Sequence, residues 1–170
     1  LVLGPSALPD IDGVKTLRVV SAADMFAACD KLFDSCDILI MSAAVSDVRP
    51  KTVLSRKAKK DEIDLNPQLE RTPDILLELS KRKKNQILIG FAAETQNVLE
   101  YAKDKLERKN LDGIVANNVG AEGAGFAADT NKIDLILRSG EVVDFRKGSK
   151  SEVAELLVSF LSARFFNEPI

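Results

Sequence analysis

The sequence contains no histidine, and this absence removes several kinds of active site. Catalytic triads, acid–base catalysis by imidazole and the usual zinc ligand sets all depend on histidine. Any chemistry must therefore come from lysine, carboxylate, amide or backbone groups, or from a bound cofactor.

Cysteine is scarce. Cys29 and Cys36 are the only two cysteines, and their spacing matches neither a CxxC motif nor a metal site. Free cysteine is among the residue types most often buried. We therefore expect both to act as small hydrophobic side chains.

The chain also lacks a strong net charge and a long apolar run. Its net charge of -2 does not indicate the basic surface of a nucleic-acid-binding protein. No apolar run approaches the roughly 20 residues of a membrane span, and the first residues lack the charged-then-apolar order of a signal peptide. We expect a cytoplasmic protein with no nucleic-acid or membrane partner. Since the first residue is leucine, we also expect a piece of a longer protein.

What is present fits one globular domain over residues 1–170. The chain is 45% hydrophobic and 29% charged, and it is long enough for a continuous core. Buried-strand patterns alternate with helical patterns. This order predicts an α/β fold, a Rossmann-like three-layer sandwich with a mostly parallel sheet, a basic flap and a C-terminal β-hairpin around Ser139–Glu141.

Local patterns place the elements. The predicted strands are 1–3, 14–20, 37–41, 86–90, 113–116, 131–137 and 142–145. Helix starts are predicted at Ser21 and Ser149, each with an acidic residue three positions later as in a capping box, at Thr72 as an N-cap, and at Gln96. Apolar spacing predicts one buried face on the first helix: Met25, Ala28, Cys29 and Leu32.

The stretch from Ser35 to Pro50 indicates where a ligand binds. Its apolar run, Ile38 to Met41, shows no alternation, which is typical of a strand buried on both faces of a parallel sheet. Small residues and then Asp47 follow this run, so a ligand can approach the backbone closely. The next two predicted strands also end in small or amide residues. Because ligands bind outside the carboxyl ends of such strands, we expect one shared site there.

Two groups of cations have two possible roles each. Residues 49–71 form a basic excursion, predicted as a two-stranded flap around the KKDE turn at 59–62. It is either a solvated surface or a lid over an anionic ligand. Lys105 and Lys109 prolong a stripe that should be buried, which begins with Val98, Tyr101 and Ala102. The two lysines either extend to solvent from a packed face or clamp phosphates.

The residues alone indicate a nucleotide site without a known phosphate-binding loop. Neither GxGxxG nor GxxxxGK[ST] occurs, so the dinucleotide and P-loop motifs are not supported. The same absence counts against an NAD(P)-dependent reductase. Strand-end amides and scattered lysines suit a nucleoside triphosphate with bound Mg²⁺.

Six separated stretches resemble one family, in order and over nearly the whole chain. They are SAAVSDVRP (42–50), RKAKK (56–60), LNPQLERTPDIL (65–76), IGFAAET (89–95), YAKDKLERKNLDGIVANNV (101–119) and GFAADTNKIDLI (125–136). Together they resemble bacterial phosphopantothenoylcysteine synthetase. In bacteria this is usually the C-terminal half of a bifunctional coenzyme A biosynthesis protein that also carries phosphopantothenoylcysteine decarboxylase.

The resemblance implies a phosphopantothenate–cysteine ligase. CTP, with Mg²⁺, would activate the carboxylate of 4′-phosphopantothenate as an acyl-cytidylate, and cysteine would then displace CMP. The resemblance also implies a homodimer, and fusion to a decarboxylase domain that alone carries FMN. An alternative stays open, namely a nucleotide-binding and dimerisation fragment without full activity.

The resemblance also implies the site residues. Catalytic roles fall on Ala44, Lys57 and Lys105. The nucleotide would be bound by Met41, Ser42, Ala43, Asp47, Lys57, Pro73, Asp74, Ile75, Leu76, Phe91, Lys105 and Lys109, with the metal ligands unassigned. The family's upstream SNxSSGxMG-like segment, which holds phosphopantothenate, is absent here. We therefore expect the nucleotide side of the site to be more complete than the substrate side.

Overall fold

A computed structural model describes residues 1–54, 56–60, 63–94, 98–118 and 130–167. Three predictions lie outside these residues: the flap turn at 61–62, the helix start at Gln96 and the first part of the stretch at 125–136. The side chain of Val98 also lies outside the description. In chain order the elements are β1 (Val2–Leu3), β2 (Leu17–Arg18), α1 (Ala22–Phe33), β3 (Ile38–Met41), β4 (Val48–Pro50), β5 (Leu69–Arg71), α2 (Ile75–Ser80), β6 (Ile87–Glu94), α3 (Val98–Arg108), β7 (Gly113–Asn118), β8 (Thr130–Asn131), β9 (Ile133–Leu137), β10 (Val142–Asp144), β11 (Gly148–Ser149) and α4 (Lys150–Phe166).

The main sheet has five strands in the order β10–β9–β7–β6–β3. Strands β3, β6 and β7 are parallel, whereas β9 runs antiparallel to both β7 and β10. All but β9 therefore point the same way, which confirms the predicted mostly parallel sheet. The predicted hairpin is also confirmed, since β9 and β10 are joined through Gly140 at a positive φ of 87°, a conformation that glycine adopts without steric cost.

Helices cover both faces of this sheet. Alternate side chains of a strand point to opposite faces, and Leu88 and Ile114 accordingly lie in one core cluster with α1, α2 and α3. Ile89 and Val115 lie in a second cluster with α4. The protein is thus the three-layer sandwich that the sequence predicts.

The first and last helices begin where the capping boxes predict. The Ser21 hydroxyl accepts a hydrogen bond from the Asp24 amide at 3.1 Å, and the Asp24 carboxylate accepts one from the Ser21 amide at 2.9 Å. The Ser21 hydroxyl also donates to the Asp24 carboxylate at 2.8 Å. This bond, followed by that from the Ser21 amide, holds the pKa of Asp24 below its usual value. Ser149 and Glu152 repeat the arrangement at α4.

The start of α2 differs from the prediction. Its N-cap is Asp74, not Thr72, and the Asp74 carboxylate accepts a hydrogen bond from the Leu77 amide. The Thr72 hydroxyl donates to the carbonyl of Ser46 instead, so a contact between distant segments takes precedence over the local cap.

Two buried helix faces are rotated from their predicted positions. On α1, Leu32 is 37% exposed while Phe33 is 1% exposed, so the face runs through positions spaced by four. On α3, Tyr101 is 50% exposed, and Leu106 is buried together with the predicted Ala102. In each helix the buried side chain, Phe33 or Leu106, lies one position after a residue of the predicted face, because the surface that the helix packs against determines which side is buried.

Strand β3 lies at an edge of the sheet but is covered on both faces, as predicted: Leu39 and Met41 pack against one core cluster, and Ile38 and Ile40 against the other. All four of its residues are half-buried, and within the described residues only β6 pairs with it. Beyond its free edge, β1 and β2 form a separate parallel pair that is much shorter than the predicted strand 14–20. A cavity of about 460 Å³ separates this pair from β3.

Both cysteines line that cavity as free thiols. Cys29 is buried, as predicted, whereas Cys36 is half-buried against the core. Burial raises the pKa of both thiols, so they remain protonated near neutral pH.

Strands β4 and β5 form the base of the flap, with Val48 opposite Arg71. Among the described residues, nothing between 49 and 71 belongs to either core cluster. The predicted two-stranded excursion is thus confirmed at its base.

None of the helices in the described parts of the chain combines the length and the apolar character that spanning a bilayer requires.

Candidate active site

A cavity of about 240 Å³, which we call the rim cavity, opens at the carboxyl edge of the sheet, where β3 ends beside β6. It is formed by the rim of the sheet, the loop after β3, the segment leading into α2, and the C-terminal half of α3. Its lining residues are Met41, Ala43, Ala44, Val45, Ser46, Asp47, Thr72, Pro73, Asp74, Ile75, Leu76, Phe91, Lys105 and Lys109.

Parallel pairing sets the floor of this cavity. Met41 is in register with Gly90, so Met41 at the end of β3 lies next to Phe91 of β6. Gly90 allows α2 to approach the sheet closely, because an added Cβ would lie 2.9 Å from Leu111 and 3.1 Å from Leu76. The small residue in β6 thereby helps to bring the segment before α2 to the rim.

Two loops that form the walls are bonded to each other. The Thr72 amide donates to the Asp47 carbonyl at 3.0 Å, and the Thr72 hydroxyl donates to the Ser46 carbonyl. The Ser46 hydroxyl donates in turn to the Val48 carbonyl at 2.7 Å. These bonds hold the strand-end loop against the segment that leads to Asp74.

Among the described lining residues, two lysines and two carboxylates supply the charges. Lys105 lies on α3 and Lys109 directly follows the last residue of α3, one turn later, and both are half-buried. The Lys109 ammonium lies 2.8 Å from Oδ2 and 3.1 Å from Oδ1 of Asp74. This pair links the start of α2 to the end of α3 across one wall.

A second cavity of about 490 Å³ adjoins the first. It extends from the end of β1 and the start of α1 to the base of the flap, where Arg49 lines it. The two cavities share Ala43–Ser46 and Thr72. The arrangement lets two ligands meet over this shared backbone, and the small side chains of Ala43 and Ala44 leave the backbone accessible.

Most residues of the predicted site are thus brought together. Ser42 and Lys57 are the exceptions. Ser42 lines the cavity between β1 and β3, and Lys57 is exposed on the flap, outside the described cavity lining. Sequence reasoning missed Val45, Ser46 and Thr72. Val45 and Ser46 lie between the predicted Ala44 and Asp47, and Thr72 directly precedes the predicted Pro73. These positions were the available signal, because the residue types themselves do not indicate ligand binding.

Comparison with known proteins gives a consistent result. The family described as DNA/pantothenate metabolism flavoprotein C-terminal domain matches residues 1–164. The coenzyme A biosynthesis bifunctional protein CoaBC of Bacillus subtilis is 45% identical over 96% of this chain and 40% of that protein. A cysteine/cysteine sulfinic acid decarboxylase from an unknown prokaryotic organism is 44% identical over 91% of this chain and 44% of that protein.

A solved structure is similar over almost the whole chain. It is the crystal structure of the C-terminal domain of a CoaBC protein, with a TM-score of 0.80 and 37% identity over 98% of this chain and 74% of that chain. The chain spans less than half the length of the two curated relatives described above.

Proposed function

Because the chain belongs to the DNA/pantothenate metabolism flavoprotein C-terminal domain family, we propose that it is the phosphopantothenate–cysteine ligase part of a coenzyme A biosynthesis protein. CTP activates the carboxylate of 4′-phosphopantothenate, and cysteine then forms the amide. The observation that carries this proposal is the rim cavity, which unites Asp47, Phe91 and Lys105 from three separate stretches of the chain.

The rim cavity is proposed to hold the nucleotide. Lys105 and Lys109 contact the triphosphate, since two ammonium groups one turn apart form a compact cationic surface. Phe91 and Met41 supply apolar surface for the base. Asp47 contacts the nucleotide from the strand-end loop.

The adjoining cavity is proposed to hold the acid substrate. A carboxylate must reach the α-phosphate to form an acyl-cytidylate, so the reacting groups have to meet over the backbone that the two cavities share. Ala44 lies there and has no side chain to block the approach. The Arg49 guanidinium lines the far wall with two of its nitrogens on Glu70 at 2.7 Å, and its remaining N–H groups are proposed to bind an anionic ligand in this cavity.

The two proposed steps need no protein nucleophile. In the first step, a substrate carboxylate oxygen attacks the α-phosphorus while the bond to the bridging oxygen of pyrophosphate breaks. In the second, the cysteine amine attacks the acyl carbon and the bond to CMP breaks. Positioning and charge neutralisation carry most of the catalysis of phosphoryl-group chemistry, and a chain without histidine can supply both.

Mg²⁺ is proposed to enter with the nucleotide. The described residues contain no group of three or more cysteine, aspartate or glutamate side chains that could hold a metal ion. Mg²⁺ usually binds through substrate phosphates and one or two carboxylates. Of the described carboxylates that line the cavity, Asp74 is paired with Lys109, so Asp47 is proposed for this role. When bound, the ion offsets negative charge on the phosphates.

Further parts of the proposal concern the flap and the rest of the protein. Lys57 is proposed to reach the nucleotide through the flap, and the protein to be a cytoplasmic homodimer. The CoaBC relatives support fusion to a decarboxylase domain, and FMN is proposed for that domain only.

The gap beside β3 is proposed to hold an upstream segment of the same polypeptide. Within the described residues β3 pairs on one side only, with β6, and β1 faces its other edge across an apolar cavity. An added parallel strand would join the two sheets. The turn after that strand would then extend the wall of the adjoining cavity and complete the substrate side of the site.

The test is pyrophosphate release by the full-length protein. With 4′-phosphopantothenate present, we expect pyrophosphate from CTP, and CMP with an amide product once cysteine is added. Release that does not depend on phosphopantothenate, or tight CTP binding with no pyrophosphate at all, would contradict the ligase assignment.

A further inference from the structure

Asp74 has two sets of contacts in the wall of the rim cavity. Its carboxylate oxygen Oδ1 accepts a hydrogen bond from the Leu77 amide at 3.2 Å and so caps α2. The same carboxylate faces the Lys109 ammonium, which lies 2.8 Å from Oδ2. The cap fixes the carboxylate, and the fixed carboxylate in turn holds the ammonium.

The pair lies where solvent screens it only in part. The Lys109 side chain is 19% exposed and that of Asp74 is 38% exposed. An exposed ion pair contributes little because water screens it and both side chains lose freedom. Here the cap on Asp74 and the partial burial of Lys109 already restrain both groups, so the side chains lose less freedom on pairing than those of a fully exposed pair.

Among the described residues that line the cavity, the charges balance one another. Asp47 and Asp74 offset Lys105 and Lys109, and the positive charge of Lys109 is compensated before any ligand arrives. A triphosphate is a polyanion, and a carboxylate in direct contact with one of its binding cations both repels it and competes for that cation.

We propose that Asp74 is a built-in counter-ion that competes with the phosphates for Lys109 and so weakens the binding of a free triphosphate. The ammonium exchanges its carboxylate partner for phosphate when the ligand binds and returns when the ligand leaves. Lys109 is therefore never left half-buried without an anion. This inference rests on the proposed function, since it takes the ligand to be a nucleoside triphosphate.

The test is Asp74→Asn in the full-length protein. Asparagine caps helices about as well as aspartate and has nearly the same shape, so the change removes charge with little effect on the fold. Calorimetry should give a dissociation constant for CTP, and for inorganic triphosphate, about three- to tenfold lower than in the wild type at low salt. The gain should shrink as salt screens the charges.

A matched control is available on the same helix. Glu78 pairs with Lys81 at 2.7 Å and does not line the cavity, so Glu78→Gln removes an equal charge from α2. It should change the affinity less than about twofold, because the charge lies outside the cavity. The gain from Asp74→Asn should also be smaller when Lys109 is already glutamine.

Several outcomes would overturn the inference. One is unchanged or weaker triphosphate binding by Asp74→Asn with a wild-type melting temperature, and another is an equal gain from Glu78→Gln. If the asparagine variant does not fold, Asp74→Ser provides a second uncharged cap. If wild type binds CTP and the variant gains nothing, the counter-ion role fails while the ligase proposal stands. If the variant binds inorganic triphosphate more tightly than wild type does and neither protein prefers CTP, the counter-ion role stands while the ligase proposal fails. If neither protein binds either ligand, both proposals fail.

Discussion

Replacing Lys105 with glutamine separates a binding role from a structural one. The side chain is half-buried on α3 and lines the rim cavity, one turn before Lys109. Glutamine keeps the helix propensity and most of the stem that packs against neighbouring residues. The substitution therefore removes mainly the charge.

The expected loss follows from the kind of contact. A hydrogen bond to a charged group contributes about 1.5–3 kcal/mol, so CTP affinity should fall about ten- to a hundredfold. Lys109 remains in place but is partly neutralised by Asp74, so it cannot fully compensate. The effect on folding should stay within about 0.5 kcal/mol, as for most substitutions near the surface.

The assay combines calorimetry for CTP with thermal unfolding of the same samples. Lys103 supplies the control, because it lies on α3, is exposed and does not line the rim cavity. Lys103→Gln should change neither quantity. A large fall in melting temperature with unchanged CTP affinity in Lys105→Gln would show that the lysine is structural, and the reasoning about the cavity would be refuted.

Three other predictions concern separate parts of the chain. Ala44→Leu should lower kcat/KM for ligation by about a hundredfold, since the added side chain displaces the reacting groups. A wild-type rate would contradict the shared-backbone geometry. Lys57→Gln should slow turnover by about a hundredfold with no change in melting temperature, and unaltered turnover would exclude the flap from the mechanism. Burial and the nearby Asp144 raise the pKa of Asp134, so the stability that its protonated form provides is lost as pH rises through that raised pKa. Asp134→Asn should therefore raise the melting temperature by a few degrees at most at pH 7, with the gain disappearing toward pH 3.8. An equal gain at both pH values would contradict the cause given.

The fold was predictable where local signals and packing agree. The capping box at Ser21 and the Ser139–Glu141 turn are local, and the structure has both. The cap at Thr72 was not predictable, because Thr72 bonds to Ser46 across the fold rather than to its own helix. Leu32 and Tyr101 show the same limit, since the buried stripe of a helix depends on the surface that it meets.

The site was predictable to the extent that strand ends share an edge. Parallel pairing carries Met41 and Phe91 to one rim, and this follows from the predicted strands alone. The Asp74–Lys109 pair does not follow from the sequence, because its partners are 35 residues apart and meet only through the packing of α2 and α3. The edge position of β3 also depends on which strands are present to pair with it.

A crystal structure of the full-length protein soaked with CTP and Mg²⁺ tests the central claim most directly. The triphosphate should lie between Lys105 and Lys109, with the cytosine against Phe91 and the α-phosphate facing the backbone of Ala43–Ser46. Density for CTP on any other surface, with this rim left empty, would contradict the proposed nucleotide site.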